Sequence, residues 1–255
     1  MSSDSPMRVT AALLVIGDEI LSGRTKDKNI GFLADYLTAI GIDLREVRVV
    51  PDDEDGIIEA INALRARNTY LFTTGGIGPT HDDITADCVA KALGVSIDHD
   101  PRAVALLRER YPDPKDLNES RLRMARIPAG ADLIDNPISK APGFMVGNVI
   151  VMAGVPSIMQ AMLENVTPRL KTGVKLQSVS VDSGGLPEGI YASGLGAIQK
   201  DHPDVIIGSY PHFDGQTFRN QIVLRGRDVT ALERAKIAVE AMLKGLAEND
   251  KTIPL

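Results

Sequence analysis

The sequence predicts a three-layer α/β fold, with a mostly parallel sheet covered by helices on both faces, followed by a small α+β domain. Two observations predict the first part: short continuous apolar runs typical of strands buried on both faces, and intervening segments whose apolar residues recur at helical spacing. The third observation is a change of pattern near residue 175, where strands and helices cease to alternate. We therefore expect two domains, residues 1–172 and 173–255.

The first domain is predicted as strands and helices in alternation. The first helix is an apolar stripe that Gly41 stops, and the second is an apolar stripe that follows the proline and acids of residues 51–54. In such an alternation the strands are parallel, and the loops after them meet at one edge of the sheet, where ligands bind. The predicted elements are strand 11–16, helix 27–40, strand 43–50, a helix introduced by residues 51–54, strand 69–73, helix 85–93, strand 149–152 and helix 157–170.

The remaining segments are assigned by their proline content and by element order. Residues 112–128 are interpreted as linker-like, and residues 136–144 as a structured binding loop rather than a hairpin. Beyond residue 175 the order predicts a small antiparallel sheet with helices. The elements expected there are strand 175–181, helix 188–200, strand 205–210, strand 217–224 and helix 230–246.

The composition is that of a globular protein, with 44% hydrophobic and 24% charged residues. No apolar run approaches the roughly 18 residues of a membrane span, and residues 1–6 are too polar for a secretory signal, so we expect a cytoplasmic protein with no membrane partner. The net charge of −6 and the absence of tryptophan argue against a nucleic-acid partner. Arg121, Arg123 and Arg126 form a basic cluster that either serves an anionic ligand or, more commonly, is a solvated helix face.

A glycine-rich turn at residues 73–85 is the strongest functional signal. Gly75, Gly76 and Gly78 follow a predicted strand, and a helix is expected to begin at Thr85. Glycines let the backbone turn tightly and approach a ligand, and the first turn of a helix favours anions. The turn therefore predicts a phosphate or carboxylate site, although it matches neither the Walker nor the Rossmann pattern.

Asp82 and Asp83 occupy positions where phosphate loops carry lysine or further glycine. A phosphate would then bind only together with a cation, and Mg²⁺ binds through one or two carboxylates plus substrate oxygens. Helix capping is the alternative for one acid, but it explains neither both acids nor the glycines. Asp18 and Glu19 follow the first strand and should reach the same edge, unless they serve only as a turn residue and a first-turn helix acid.

Four motifs occur in order along residues 8–170. They are Gly17-Asp18-Glu19-Ile20-Leu21-Ser22-Gly23 with Asp27 and Asn29, Val49-Val50-Pro51-Asp52, Gly75-Gly76-Ile77-Gly78-Pro79-Thr80-His81-Asp82-Asp83-Ile84-Thr85, and Ala141-Pro142-Gly143-Phe144. With these motifs the region resembles the MoaB/Mog molybdopterin-binding family, in the branch of the CinA competence/damage-inducible proteins and the N-terminal domain of eukaryotic FAD synthases. The region after residue 175 is similar, more loosely, to the end of the FAD-synthase hydrolase domain.

The resemblance implies a glycine turn that holds a phosphate-containing pterin or nucleotide, and a homo-oligomer. It also implies cleavage of the pyrophosphate in FAD or ADP-ribose, to AMP and a second phosphate ester, with divalent Mg, Mn or Co. Asp82 and Asp83 would be catalytic and bind the metal, and His81 is either an acid–base group or a solvated loop side chain. The implied ligand-binding residues are Gly17, Asp18, Glu19, Asp27, Asn29, Gly75, Gly76, Gly78, Pro79, Thr80, Thr85, Lys140, Gly143, Gly154 and Pro156.

Several of these residues keep a structural alternative, because Asp27, Asn29, Thr80 and Thr85 could instead cap helices. The sequence also departs from the family: Ala153 begins a motif that is commonly Pro-Gly-x-Pro, and His81-Asp82 replaces the Arg-Asp of Mog-type enzymes. No deamidase or reductase-like domain follows, so we expect neither deamidation nor FAD synthesis. Two other functions stay open, namely a molybdopterin-binding or adenylyl-transfer protein and a nucleotide-binding module without catalysis.

Overall fold

The computed structural model describes residues 8–213 and 218–250. The chain divides into two compact units, Met1–Gly173 and Val174–Leu255. Residues 1–6, and Thr217 at the predicted start of a strand, lie outside the described ranges. No helix within those ranges is long and apolar enough to cross a membrane.

The larger unit is built on a six-stranded, mostly parallel sheet. Its strands, with a separate two-stranded pair, are β1 Val9–Ile16, β2 Ile42–Val50, β3 Tyr70–Thr74, β4 Ile97–His99, β5 Arg126–Pro128, β6 Asp132–Ile134, β7 Gly143–Val146 and β8 Val149–Met152. The sheet order is β2-β1-β3-β8-β7-β6, and β4 pairs with β5. The first four strands of that order run parallel, whereas β7 is antiparallel to both of its neighbours. The predicted fold class is confirmed.

Helices cover both faces of this sheet. They are α1 Asp18–Leu21, α2 Asn29–Ala39, α3 Glu54–Arg67, α4 Thr85–Leu93, α5 Pro101–Arg110, α6 Glu119–Leu122 and α7 Pro156–Val166, with 3-10 turns at Arg123–Ala125 and Thr167–Arg169. The buried side chains of β1 alternate between the two layers: Leu14 packs into the core with α3 and α4, and Leu13 packs into the core with α2 and α7. This alternation follows from the two-residue period of a strand, and it produces the three layers.

Two sequence interpretations of this unit were wrong. Residues 112–128 are not a linker, because they contain α6, a 3-10 turn and β5, with Ala125 and Ile127 buried in the core. Residues 136–144 connect β6 to its antiparallel partner β7, so the preference for a loop over a hairpin was wrong, although the connection is structured and lines the cavity described below. Asn136 closes that connection by accepting the backbone N–H groups of Ile138 and Ser139 at 3.1 and 3.2 Å.

The smaller unit is an antiparallel sheet with two helices, as predicted. Its elements are β9 Gln177–Asp182, α8 Glu188–Asp201, β10 Ile206–Phe213, β11 Phe218–Gly226 and α9 Val229–Asp250. The strand order is β10-β11-β9. Its own core includes Tyr191 from α8, Ile222 and Leu224 from β11, and Ala235 and Val239 from α9.

Candidate functional site

The loop between β3 and α4 is folded tightly onto its surroundings. Gly75 and Gly76 have φ angles of +102° and +66°. A Cβ would lie 2.1 Å from the Ile16 carbonyl oxygen at the first position, and 2.2 Å from Thr85 Oγ1 at the second. Buried Thr85 donates its hydroxyl to Gly75 O and its N–H to Gly76 O, both at 3.0 Å. Thr85 therefore closes the loop: it is neither the N-cap of α4 nor exposed to a ligand.

The paired acids of this loop face different surroundings. Asp83 Oδ2 accepts the N–H and the hydroxyl of Thr80 at 2.8 and 2.6 Å, which turns the carboxylate back over Gly78. The side chains of Asp82 and His81 are 59% and 98% exposed, and Nδ1 of His81 lies 3.9 Å from the Asp82 carboxylate. Thr80 thus orients Asp83 as a loop residue rather than as a helix cap.

Acidic side chains from the loops after β1 and β2 approach the same edge. The Asp18 N–H donates to Asp52 Oδ2 at 3.0 Å. Burial raises the pKa of Asp52, the Asp18 hydrogen bond lowers it, and the charges of Asp18, Glu19 and Asp82 raise it further. Four carboxylates therefore lie near enough to interact electrostatically, and Asp52 contributes to the cluster although it was not predicted as a site residue.

A cavity of about 480 Å³ opens beside the glycine loop. That volume is within the usual range for small-molecule and cofactor sites. Five of the predicted site residues line it: Glu19, Gly78, Asp83, Gly154 and Pro156. The other lining residues are Thr25, Ile77, Met124, Asn136, Ser139, Ala141, Ala153, Val155 and Ile158. The loops after β1, β3 and β8 and the β6–β7 connection thus surround one space.

Two predicted ligand residues hold the walls of this cavity in place. Asn29 is buried, and its Nδ2 donates to the Gly154 carbonyl at 2.8 Å, which ties α2 to the turn after β8. Asp27 Oδ1 accepts the N–H of Ile30 at 2.7 Å at the start of α2. A Cβ on Gly154 would lie 3.2 Å from the Gly75 Cα, so these two loops pack backbone to backbone.

Other predicted residues lie elsewhere. Lys140 Nζ pairs with Glu109 at 2.9 Å, and Lys140 does not line the cavity, so its charge is directed to α5. Gly143 lies within β7, where a Cβ would be 2.3 Å from the Val151 carbonyl oxygen; the close strand pairing, rather than a ligand, requires glycine. Gly17 lies beside the Glu19 carboxylate, which a Cβ would approach to 2.5 Å.

Pro79, Thr80 and His81 line a second opening on the glycine loop, a crevice of about 480 Å³ whose opposite wall includes Arg121 and Arg123. Among the residues that the structure describes, no three His, Cys, Asp or Glu side chains are grouped so as to hold a metal by themselves. The carboxylates around Asp52 repel one another, so a divalent cation at this edge would lower that repulsion, and it would have to take its remaining ligands from substrate oxygens.

Asn136 and Ser139 lie in the segment interpreted as a binding loop but were not named as site residues, and Met124 was not assigned to the site at all. Asn136 has a sequence signal in the Asn-Pro dipeptide that begins the β6–β7 connection. Met124 has none, because its position against the loop depends on the packing of the 3-10 turn after α6.

The comparisons with known proteins agree with this architecture. Residues 12–172 match the family model "Probable molybdopterin binding domain", and residues 163–251 match "FAD synthase, middle domain". A protein of Pyrobaculum calidifontis is 34% identical over 253 residues, which are 95% of this chain and 96% of that one. A CinA-like protein of Desulfosudis oleivorans is 39% identical over 201 residues, 73% of this chain but only 49% of its own length.

A solved structure is also similar to this chain. The crystal structure of CinA from Thermoplasma acidophilum, a protein described as having unknown function, is 36% identical with a TM-score of 0.60, and the match covers 64% of this chain and 98% of that one. On these grounds the chain belongs to the molybdopterin-binding domain family, in its CinA-like branch, with a region after that domain that matches the FAD synthase middle domain.

Proposed function

We propose that the protein is a metal-dependent nucleotide pyrophosphatase that cleaves FAD or ADP-ribose to AMP and a second phosphate ester. The observation that carries this proposal is that Gly78 and Asp83 from one loop and Glu19 from another line the same cavity. A fixed glycine backbone offers N–H groups to phosphate oxygens, and adjacent carboxylates suit the cation that a pyrophosphate brings.

The proposed roles follow from position. Asp83, which lines the cavity, would contact a divalent ion such as Mg²⁺, Mn²⁺ or Co²⁺, and the ion would supply charge stabilisation at the phosphate oxygens. Asp82 does not line the cavity in this structure; as the second metal residue it would add negative charge beside Asp52. In the hydrolysis a water oxygen bonds to one phosphorus, the bridging P–O bond breaks, and the released protons are shared between the products and solvent. His81 contacts solvent rather than the cavity, and the proposal does not use it.

The cavity also has an apolar side, formed by Ile77, Met124, Ala153, Val155 and Ile158. Such a surface suits a flat ring system, which FAD and a pterin both have. Together with the family match, this surface favours molybdopterin binding as the second candidate function. The third candidate is a module that binds a nucleotide in the same cavity without cleaving it.

A substrate panel separates these candidates. Purified protein is incubated with FAD, ADP-ribose or molybdopterin, with Mg²⁺, Mn²⁺, Co²⁺ or a chelator, and AMP release and ligand binding are measured. We expect AMP from FAD or ADP-ribose with at least one metal and none with the chelator. Tight molybdopterin binding with no AMP from either nucleotide under any metal would contradict the pyrophosphatase and support the second candidate.

A further inference from the structure

Arg123 is a partly buried cation beside the glycine loop. It begins the 3-10 turn after α6, 40 residues beyond Asp83, and its Nη2 donates to the Asp83 carbonyl oxygen at 3.4 Å. Its Nε is buried and has no hydrogen-bond partner among the residues that the structure describes. Among the same residues, no carboxylate oxygen lies within 4.0 Å of a guanidinium nitrogen of Arg123.

The neighbouring arginines differ, because each is already engaged. Arg126 Nη2 pairs with Asp87 at 2.6 Å. Arg121 lies over the Tyr111 ring at 4.2 Å, and its Nη1 is 3.8 Å from the Asp116 carboxylate. Of the basic cluster seen in the sequence, Arg123 is therefore the arginine with no carboxylate within 4.0 Å among the described residues.

The surroundings of Arg123 connect it to the loop. Arg123 does not line the cavity of the proposed function, but it lines the crevice that residues 79–81 also line. It also lines a smaller depression, which shares Gly78 and Asp83 with that cavity. Ser120 and Asn118 add polar groups to the crevice. An anion at this position would contact a guanidinium group and loop residues together.

We propose that Arg123 is the phosphate-binding cation of the glycine loop. It supplies, from a distant element, the positive charge that a Walker loop carries on its own lysine, and it binds a phosphate group of the ligand without needing a metal. This inference rests on the proposed function for the identity of the ligand, a nucleotide pyrophosphate or the phosphate ester that its cleavage produces.

The chemistry of the group supports this role. A partly desolvated guanidinium group with an unsatisfied N–H and no carboxylate partner is unfavourable in a folded protein, and an anionic ligand lowers that penalty. The planar guanidinium group presents paired N–H donors that match two phosphate oxygens, and such charge-assisted bonds are among the strongest in proteins. Asp82 and Asp83 would repel a phosphate group. The positive charge of Arg123 offsets that repulsion, so we expect the phosphate group to bind even without a metal ion.

Calorimetric titration of the full chain with inorganic pyrophosphate, in the presence of a chelator, tests the proposal. Arg123→Gln removes the charge, Arg123→Lys keeps it, and Arg108→Gln is a matched control at an exposed arginine of α5. We expect Arg123→Gln to weaken binding roughly tenfold or more. Arg123→Lys should retain part of the affinity, and Arg108→Gln should stay close to the wild type.

The titration would overturn the proposal if Arg123→Gln and the wild type had equal affinity for pyrophosphate, or if the wild type did not bind pyrophosphate in chelator. If Arg123→Gln does not fold, amide hydrogen exchange of the wild type with and without pyrophosphate provides a second test. Pyrophosphate should slow the exchange of amides in residues 78–83 and 118–124. Unchanged exchange there would also contradict it. AMP release is measured separately, so a wild type that binds pyrophosphate through Arg123 but cleaves neither nucleotide contradicts the proposed function alone.

Discussion

Two glycines fix the path of the backbone where the loop after β3 begins. Gly76 has a positive φ angle, and its Cα faces the Thr85 hydroxyl so closely that no side chain fits. Gly31, in contrast, lies in the exposed part of α2 with no atom within 4 Å of an added Cβ. The same substitution should therefore have opposite effects at the two positions.

We predict that Gly76→Ala destabilises the protein by about 1–3 kcal/mol, because alanine would be strained at this φ angle and would displace Thr85. Gly31→Ala should stabilise it by about 0.5–1 kcal/mol, since alanine loses less backbone entropy in a helix. Urea unfolding of both variants checks this. Equal effects of the two substitutions would show that the loop does not impose the conformation described above.

Asp52 gives a pH-dependent prediction. Because burial and neighbouring charges raise its pKa in the folded state, ionising Asp52 disfavours folding, and its contribution is most favourable at low pH and is lost as pH rises through the folded-state pKa. Asp52→Asn should thus gain stability relative to the wild type as pH rises from about 4 to 7. Added Mg²⁺ should reduce that gain. A stability difference independent of both pH and Mg²⁺ would contradict the electrostatic cluster.

Connections between elements decide whether the cavity keeps its shape. Asn29 at the start of α2 holds the turn between β8 and α7 through one hydrogen bond across 125 residues of sequence. We predict that Asn29→Ala destabilises the protein by about 1 kcal/mol, since the Gly154 carbonyl loses its donor while the unpaired Asn29 Oδ1 is also removed. Asn165→Ala, at an exposed position of α7, should change stability by less than about 0.5 kcal/mol. If thermal unfolding showed equal losses of stability for Asn29→Ala and Asn165→Ala, the hydrogen bond between Asn29 and Gly154 would not stabilise the protein as predicted.

The elements that the sequence predicted well are those with a local signal. The apolar run of β1 and the stripe of α3 were predicted because strand and helix periods show directly in the residues. The segment from β4 to β5 was not predicted. Its two short strands depend on long-range contacts such as the pairing of Ile97 with Pro128, whereas α5 has a local start signal, Asp100 before Pro101, that was missed. The glycine loop was predicted because its glycines are a local signal. The pairing of Lys140 with Glu109 and the contact of Arg123 with Asp83 join distant parts of the sequence, so they could not be predicted.

At the scale of the whole molecule, the chain consists of two units with separate hydrophobic cores. We predict that a fragment of residues 1–173 folds alone, because its sheet and both helical layers are complete within it. A fragment of residues 1–155 should fail to unfold cooperatively, since it lacks α7 with buried Met159, Met162 and Leu163. Circular dichroism during thermal unfolding compares them. Loss of cooperative unfolding in the longer fragment would contradict the independence of the larger unit.

The most direct test of the account is AMP release from FAD and ADP-ribose in a single turnover, with Mg²⁺, Mn²⁺ or Co²⁺, by the wild type and by Asp83→Asn. Asparagine can still accept the Thr80 hydrogen bonds, so this variant removes charge rather than the loop's geometry. Asp35→Asn, at an exposed position of α2, is the control. We predict metal-dependent AMP from the wild type and the control, with a loss of roughly two orders of magnitude in Asp83→Asn. An undiminished rate in Asp83→Asn would contradict the account.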